Sequence, residues 1–211
     1  MLASTLFGSS VDNASLAAMD AGIVNDSVAA SSSETSWPTV WTIGHSTRSA
    51  AELNTILATH KIGHLADVRS SPGSRRYPQF NRQQLSESLP AIGINYYHLP
   101  NLGGRRRPLS NSRNTAWKNQ SFRAYADYMD TEGFLKGIKQ LLALAIEKRT
   151  AIMCAEALWW RCHRSLIADY LKLRGSMVIH VMDETHTQIH PYTSAARIIH
   201  GRLSYEGLLG E

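Results

Sequence analysis

The stretch TAIMCAEALWWRCHRSLIADYLKLRG, residues 150–175, decides the fold. Thr150–Cys154 is a short apolar run, which reads as a strand buried on both faces. Cys162–Leu173 reads as a helix, with Gly175 as its C-terminal stop. Met177–Met182 then supplies another strand, so strand, helix and strand follow one another without a hairpin turn between them. Working back towards the N-terminus, the same alternation recurs. Thr39–Ile43 is a strand, followed by Gly44-His45-Ser46 and a helix that Ser49 caps, with Leu53, Ile56 and Leu57 at helical spacing. Ile62–Val68 is a strand ending at Asp67-Val68-Arg69. Pro72, Gly73 and Pro78 mark a loop, Asn81–Leu89 a short helix and Ile94–His98 a further strand. An arginine-rich loop spans residues 101–114, and Phe122–Met129 and Gly133–Glu147 are helical. Such alternation implies right-handed crossovers and an α/β fold: a mainly parallel sheet with helices on both faces, Rossmann-like and three-layered, forming a single domain over residues 37–211.

The chain of 211 residues is long enough for such a core. No apolar run reaches the ~18–20 residues of a bilayer span. Two cysteines cannot staple a small secreted protein, so a cytoplasmic, reducing location is expected. Residues 1–36 differ in kind. They are rich in Ala and Ser and carry four acids with no Lys or Arg. They lack the basic and apolar regions of a secretory signal and the arginines of a mitochondrial presequence. They read as a poorly ordered acidic tail, with a short helix around residues 11–21 as an option.

Charge is informative once divided. The formal net charge is +5, of which the tail contributes −4, leaving +9 on the domain. Sixteen of the 22 cations are arginine, whose planar fork suits phosphate and carboxylate. Between residues 69 and 123, ten cations stand against a single acid, Glu87. An anionic partner, nucleic acid or nucleotide, is expected; a merely solubilising basic surface is the plainer alternative.

Parallel sheets place ligand sites beyond the C-terminal ends of their strands. Here those ends carry His45, Asp67, Arg69, Cys154 and Glu156. If Cys162 opens a helix, its sulfur meets the positive end of the dipole with Arg161, His163 and Arg164 alongside, and thiolate is favoured over thiol. Cys162, Glu156, His163 and Asp67 are therefore the candidate catalytic residues, and His45, Arg69, Arg105, Arg106, Arg107 and Arg164 the candidate substrate-binding ones. Core filling is the plainer reading of Cys154, since free cysteine is among the most buried residue types. Opposite charges among Asp67, Arg69, Glu156 and Arg164 are expected to pair at one rim.

Several sharper motifs fail. A cysteine-phosphatase loop needs small residues to wrap phosphate, and the segment after Cys154 holds Leu158, Trp159 and Trp160. A persulfide-transfer loop would be similarly compact. Cys154, Cys162 and His163 lack a standard zinc spacing, and adjacent Cys-His pairs rarely hold one ion, so no metal is expected. No Walker or dinucleotide signature is present, and no cofactor is expected.

Thr42-Ile43-Gly44-His45-Ser46, Asp67-Val68-Arg69 with Pro72 and Ser74, Pro78-Gln79-Phe80-Asn81, Leu102-Gly103-Gly104, Cys154-Ala155-Glu156 and Cys162-His163-Arg164 occur together and in order. In this combination the chain resembles the domain-of-unknown-function family numbered 488, over about residues 39–190. The resemblance implies an α/β domain with these polar residues gathered at one site, and it implies no reaction. Three functions remain open. The first is an enzyme acting on a phosphate-bearing substrate. The second is a non-catalytic nucleic-acid-binding module, with Trp117, Trp159 or Trp160 stacking on bases. The third is a thiol redox sensor joining Cys154 to Cys162. The first leads, because a plain binding surface needs no thiol, carboxylate and imidazole at one sheet edge.

Overall fold

Ten elements alternate through most of the chain: β1 (Val40–Gly44), α1 (Ala50–Thr59), β2 (His64–Asp67), α2 (Arg82–Ser88), β3 (Asn95–His98), α3 (Gln120–Tyr128), α4 (Glu132–Glu147), β4 (Thr150–Cys154), α5 (Arg164–Leu173) and β5 (Val178–Val181). Three short strands follow: β6 (Thr187–Ile189), β7 (Arg197–Ile199) and β8 (Arg202–Ser204). The computed structural model describes residues 37–207. The expected acidic tail and its optional helix lie outside the described residues.

The sheet runs β3-β2-β4-β1-β5-β6; the first five strands are parallel, and β6 is antiparallel to β5. Side chains alternate across it, as the period of a strand requires. Val40, Ala66 and Ile152 pack against α3, α4 and α5 on one face. Ile43, Leu65, Ala151 and Met153 pack against α1 and α2 on the other. The three layers are thus those the sequence implies. Local signals hold the helices in place. Ser49 and Glu52 form a reciprocal capping box at the start of α1, Asn119 and Thr131 cap α3 and α4, and Gly175 ends the turn after α5 at φ +94°.

One boundary matters for function. The helix expected from Cys162 begins at Arg164 instead. A 3₁₀ turn over Trp159–Arg161 precedes it and leaves Cys162 extended, at φ −129° and ψ 146°. Trp159 fixes that turn: it is buried, its ring stacks on His180 at 4.2 Å, and its indole N–H donates to the Gln188 side chain at 3.0 Å. The short strands β6, β7 and β8 lie outside the sequence expectation, since three residues each are too few to show a hydrophobic period.

The position of the site follows from topology. β4 and β1 are neighbours, yet the chain leaves β1 towards α1 on one face and β4 towards α5 on the other. Divergence of adjacent connections opens a crevice beyond the strand ends.

Candidate active site

A cavity of about 570 Å³ occupies that crevice. His45 after β1, Arg69 after β2, and Cys154 and Glu156 at the end of β4 line it, together with Arg161, Cys162 and His163 from the turn before α5. Arg105 reaches it from the arginine-rich loop. Gly44 permits the approach of β1: a Cβ there would fall 1.9 Å from the Glu156 carbonyl oxygen.

The cavity wall is built around His163. Its Nε2 lies 3.1 Å from the Val68 carbonyl oxygen, which only accepts, so Nε2 carries the proton. Nδ1 is then a free lone pair in the neutral ring. It lies 3.5 Å from the Cys162 sulfur and 3.9 Å from that of Cys154. Gly104 presses on the face of the same ring, because a Cβ there would stand 2.5, 2.8 and 3.0 Å from Nδ1, Cγ and Cε1. Near-equal distances to three ring atoms place the backbone above the plane, so the in-plane lone pair stays clear.

The two thiols are unlike. Burial pushes the Cys162 thiol up, but the Cys154 S–H, the charge His163 carries in its imidazolium form (whose Nδ1–H faces the sulfur) and Arg164 act against it, and the direction is well below the ordinary range. Arg164 donates its Nε–H to the Cys162 sulfur at 3.4 Å. Cys154 moves the other way: its hydrogen bond to Cys162 and its burial both favour the protonated form. The Cys162 sulfur thus has a thiol, a ring nitrogen and a guanidinium directed at it, an arrangement that favours its thiolate. Cys162 stands just before the helix, next to its N-cap His163, rather than opening it.

Both predicted arginines of the rim are buried. Arg69 donates to both oxygens of Asp67, to the Phe80 carbonyl and to Nε2 of His45, and Tyr96 also donates to Asp67. His45 gives its Nδ1 proton to Ser46 and accepts from Arg69; burial and the Arg69 charge push its pKa down to about 4, so it is neutral. Asp67 is fully buried in this arrangement and holds Arg69. The second expected pairing differs. Arg164 meets Glu156 through the backbone carbonyl, at 2.5 Å, while the Glu156 carboxylate is exposed and accepts from Leu158 N–H at 3.4 Å. Among the described residues no carboxylate bonds to Arg164. Of the arginine loop, Arg105 lines the cavity, Arg106 lies over the Tyr128 ring and donates to the Asn101 carbonyl, and Arg107 is exposed.

Sequence reasoning missed a buried row of polar groups behind Arg164. Arg164 donates to Thr42 Oγ1 at 3.4 Å, and Thr42 lies 2.7 Å from His180 Nδ1. His180 Nε2 is 2.9 Å from His190 Nδ1, and His190 Nε2 is 2.9 Å from Asp169. The Asp169 carboxylate also accepts from Thr193 and Tyr205. With both rings neutral, Asp169, which can only accept, takes the His190 Nε2–H, and the hydrogens then run from Thr42 through His180 and His190 to Asp169. In that state both histidines are Nε2–H tautomers. The missing signal was register: Thr42 and His180 are partners on adjacent strands, which one strand read alone does not reveal.

The tryptophans are mostly structural. Trp117 stacks on Phe122 and Trp159 on His180, while Trp160 is exposed. No helix among the described residues is long and apolar enough to cross a membrane. A family model described as "Domain of unknown function DUF488" matches residues 49–171. No curated protein and no solved structure matches the chain.

Proposed function

The chain belongs to the DUF488 family, and we propose that it is a cytoplasmic enzyme acting on a phosphate-bearing substrate, a nucleic acid or nucleotide. What carries this reading is the juxtaposition of a polarised sulfur and a cationic cavity. The Cys162 sulfur and Nδ1 of His163 stand 3.5 Å apart in the wall of a space that Arg105 and Arg161 also line. The arginines would hold the anion, and Arg107 beside them would extend the grip along a polymer. Cys162 would be the nucleophile, bonding to the substrate's electrophilic atom as the bond to the leaving group breaks; the His163 imidazolium would protonate that leaving group, and water activated at Glu156 would then release the product from sulfur. Arg69, Asp67, His45 and Arg164 take positioning roles, because their donors and acceptors are used within the fold. Two free cysteines at the centre of the reaction fit a reducing compartment.

The test is binding of a labelled nucleotide and a single-stranded oligonucleotide across a salt series, with mass spectrometry of the products. Affinity should fall steeply with salt, and Arg105→Ala with Arg161→Ala should flatten that slope. Cys162→Ser should bind as before and give no product. Salt-insensitive binding would remove the anion site, and undiminished turnover in Cys162→Ser would remove the sulfur.

A second reading draws on the two sulfurs, which lie within 4.8 Å of each other. Oxidation by a peroxide would join Cys154 to Cys162, with loss of two protons and two electrons to the oxidant. A binding module without chemistry has less support, since only Trp160 of the three tryptophans offers an open face.

A further inference from the structure

The sulfurs of Cys154 and Cys162 and a ring nitrogen of His163 all lie within 4.8 Å of one another, a convergence that their spacing in sequence argues against. We propose that these three side chains form a binding site for a soft divalent cation of the zinc class, with its fourth position open to the cavity. Zinc bound at about 2.3 Å to sulfur and about 2.0–2.1 Å to nitrogen sets tetrahedral edges of roughly 3.6 Å between S and N. The two S–N edges here are 3.5 and 3.9 Å, so an ion fits between the donors with little movement.

Other features of the cluster agree. A metal-bound histidine usually gives its second ring N–H to a carbonyl or carboxylate, which fixes the tautomer and aims the lone pair. His163 does this through Nε2 and Val68, and Gly104 over its face leaves the in-plane direction open. Two thiolates and an imidazole form a soft set that selects zinc-class ions over magnesium or calcium. Three protein ligands with one side facing a cavity is the arrangement of an open site rather than a closed structural one. Cysteine binds the ion as thiolate, so binding releases protons to solvent and affinity should weaken as pH falls. Adjacent residues converge here because Cys162 is extended while His163 has helical dihedrals, which turns both side chains to one side.

Binding of the ion stands apart from the function proposed above; its consequence for turnover rests on that function. An ion at this site takes up the Cys162 sulfur, so metal and thiolate chemistry exclude each other and the metal acts as a brake.

The full chain, reduced with a phosphine and stripped with a chelator, is loaded with zinc or cobalt, dialysed and analysed for metal. One equivalent should be retained, and cobalt should give a thiolate charge-transfer band with the intense visible bands of tetrahedral coordination. Cys154→Ser and His163→Gln should each weaken retention by more than about 100-fold. Zinc should also protect both thiols of the unaltered chain from alkylation, a readout that does not depend on whether a variant folds. Less than one equivalent retained, octahedral cobalt, or alkylation unaffected by zinc would overturn the proposal. None of these readouts uses nucleotide or turnover, so loss of the phosphate reading leaves the metal result standing, and the converse.

Discussion

Two arginines are buried at the same sheet edge, and they do different work. Arg69, 8% exposed, is clasped by Asp67 on two oxygens, so its charge is paired where it stands and what remains of its field falls on His45. Arg164, 1% exposed, has two carbonyls, a hydroxyl and a sulfur for partners. The nearest carboxylate along its hydrogen bonds is Asp169, beyond Thr42, His180 and His190. A guanidinium without a carboxylate against it retains a field, and Cys162 is the group placed to use that field. The same residue type at the same rim is an ion pair in one case and support for a thiolate in the other.

The comparison is broken most severely by Arg164→Met. Carbonyls of Glu156 and Ala157 and the Thr42 hydroxyl would lose their donor in the core, at a cost of roughly 4–5 kcal/mol. The midpoint of urea unfolding should drop accordingly, and alkylation of Cys162 should move to higher pH. A variant that unfolds like the unaltered chain would mean Arg164 is not held as described. Asp67→Asn should come next, at about 3 kcal/mol, because it strands the buried charge of Arg69 while keeping some of its hydrogen bonds. Its Cys162 alkylation profile should stay where it is; a shift equal to that of Arg164→Met would make the two arginines equivalent.

A third, smaller effect belongs to His45 on the Arg69 side. Its folded pKa of about 4 lies below the ordinary 6.5, so the unfolded chain takes up a proton in that window that the folded chain does not. Stability should therefore fall as pH drops from 6.5 towards about 4, by roughly 2–3 kcal/mol from this group. His45→Asn should flatten that part of the stability profile relative to the unaltered chain, and an unchanged slope would show that His45 titrates normally. The smallest effect sharpens the Arg164 side. In metal-free Cys154→Ala, the midpoint for alkylation of Cys162 should stay below the ~8.5 of a free cysteine. Thr42→Val, which interrupts the polar row without changing side-chain size, should raise that midpoint in the otherwise unaltered chain. No change would show that the row beyond Arg164 is structural only.

Much of the architecture was legible because the signals are local. Ser49 with Glu52, the apolar run at Thr150–Cys154 and Gly175 each specify their element without reference to the rest. The identity of the rim was legible too, since parallel strands deliver their last residues to one edge whatever the details. What was not legible depends on contacts between distant segments. The field around Cys162 comes from Arg164 and His163 placed by a 3₁₀ turn, and that turn depends on Trp159 meeting His180 and Gln188. Glu156 and Arg164 read as an ion pair from their charges, yet the bond formed is to a backbone oxygen that carries no sequence signature. The cysteine–histidine convergence was hidden for the same reason: ligand spacing describes closed zinc loops, and here a strand end and a turn bring the donors together.

The place of β1 has a consequence for synthesis of the chain. This strand lies between β4 and β5, and Val40 pairs with Thr150, roughly 110 residues later. On the ribosome it emerges first and finds its neighbours last. At about 5–20 residues per second, the interval before β4 appears is roughly 5–20 s. During that interval β2 and β3 can pair through the short α2 crossover, but β1 remains an unpartnered apolar segment with both edges open until β4 is made. Closure of the sheet is thus a late, long-range step, of the kind that slows folding and exposes sticky surface. His45 is already made when that step comes, but Cys154 and Cys162 arrive only with β4 and the turn after it, so a half-made chain has neither its cysteines nor a cavity to hold a substrate.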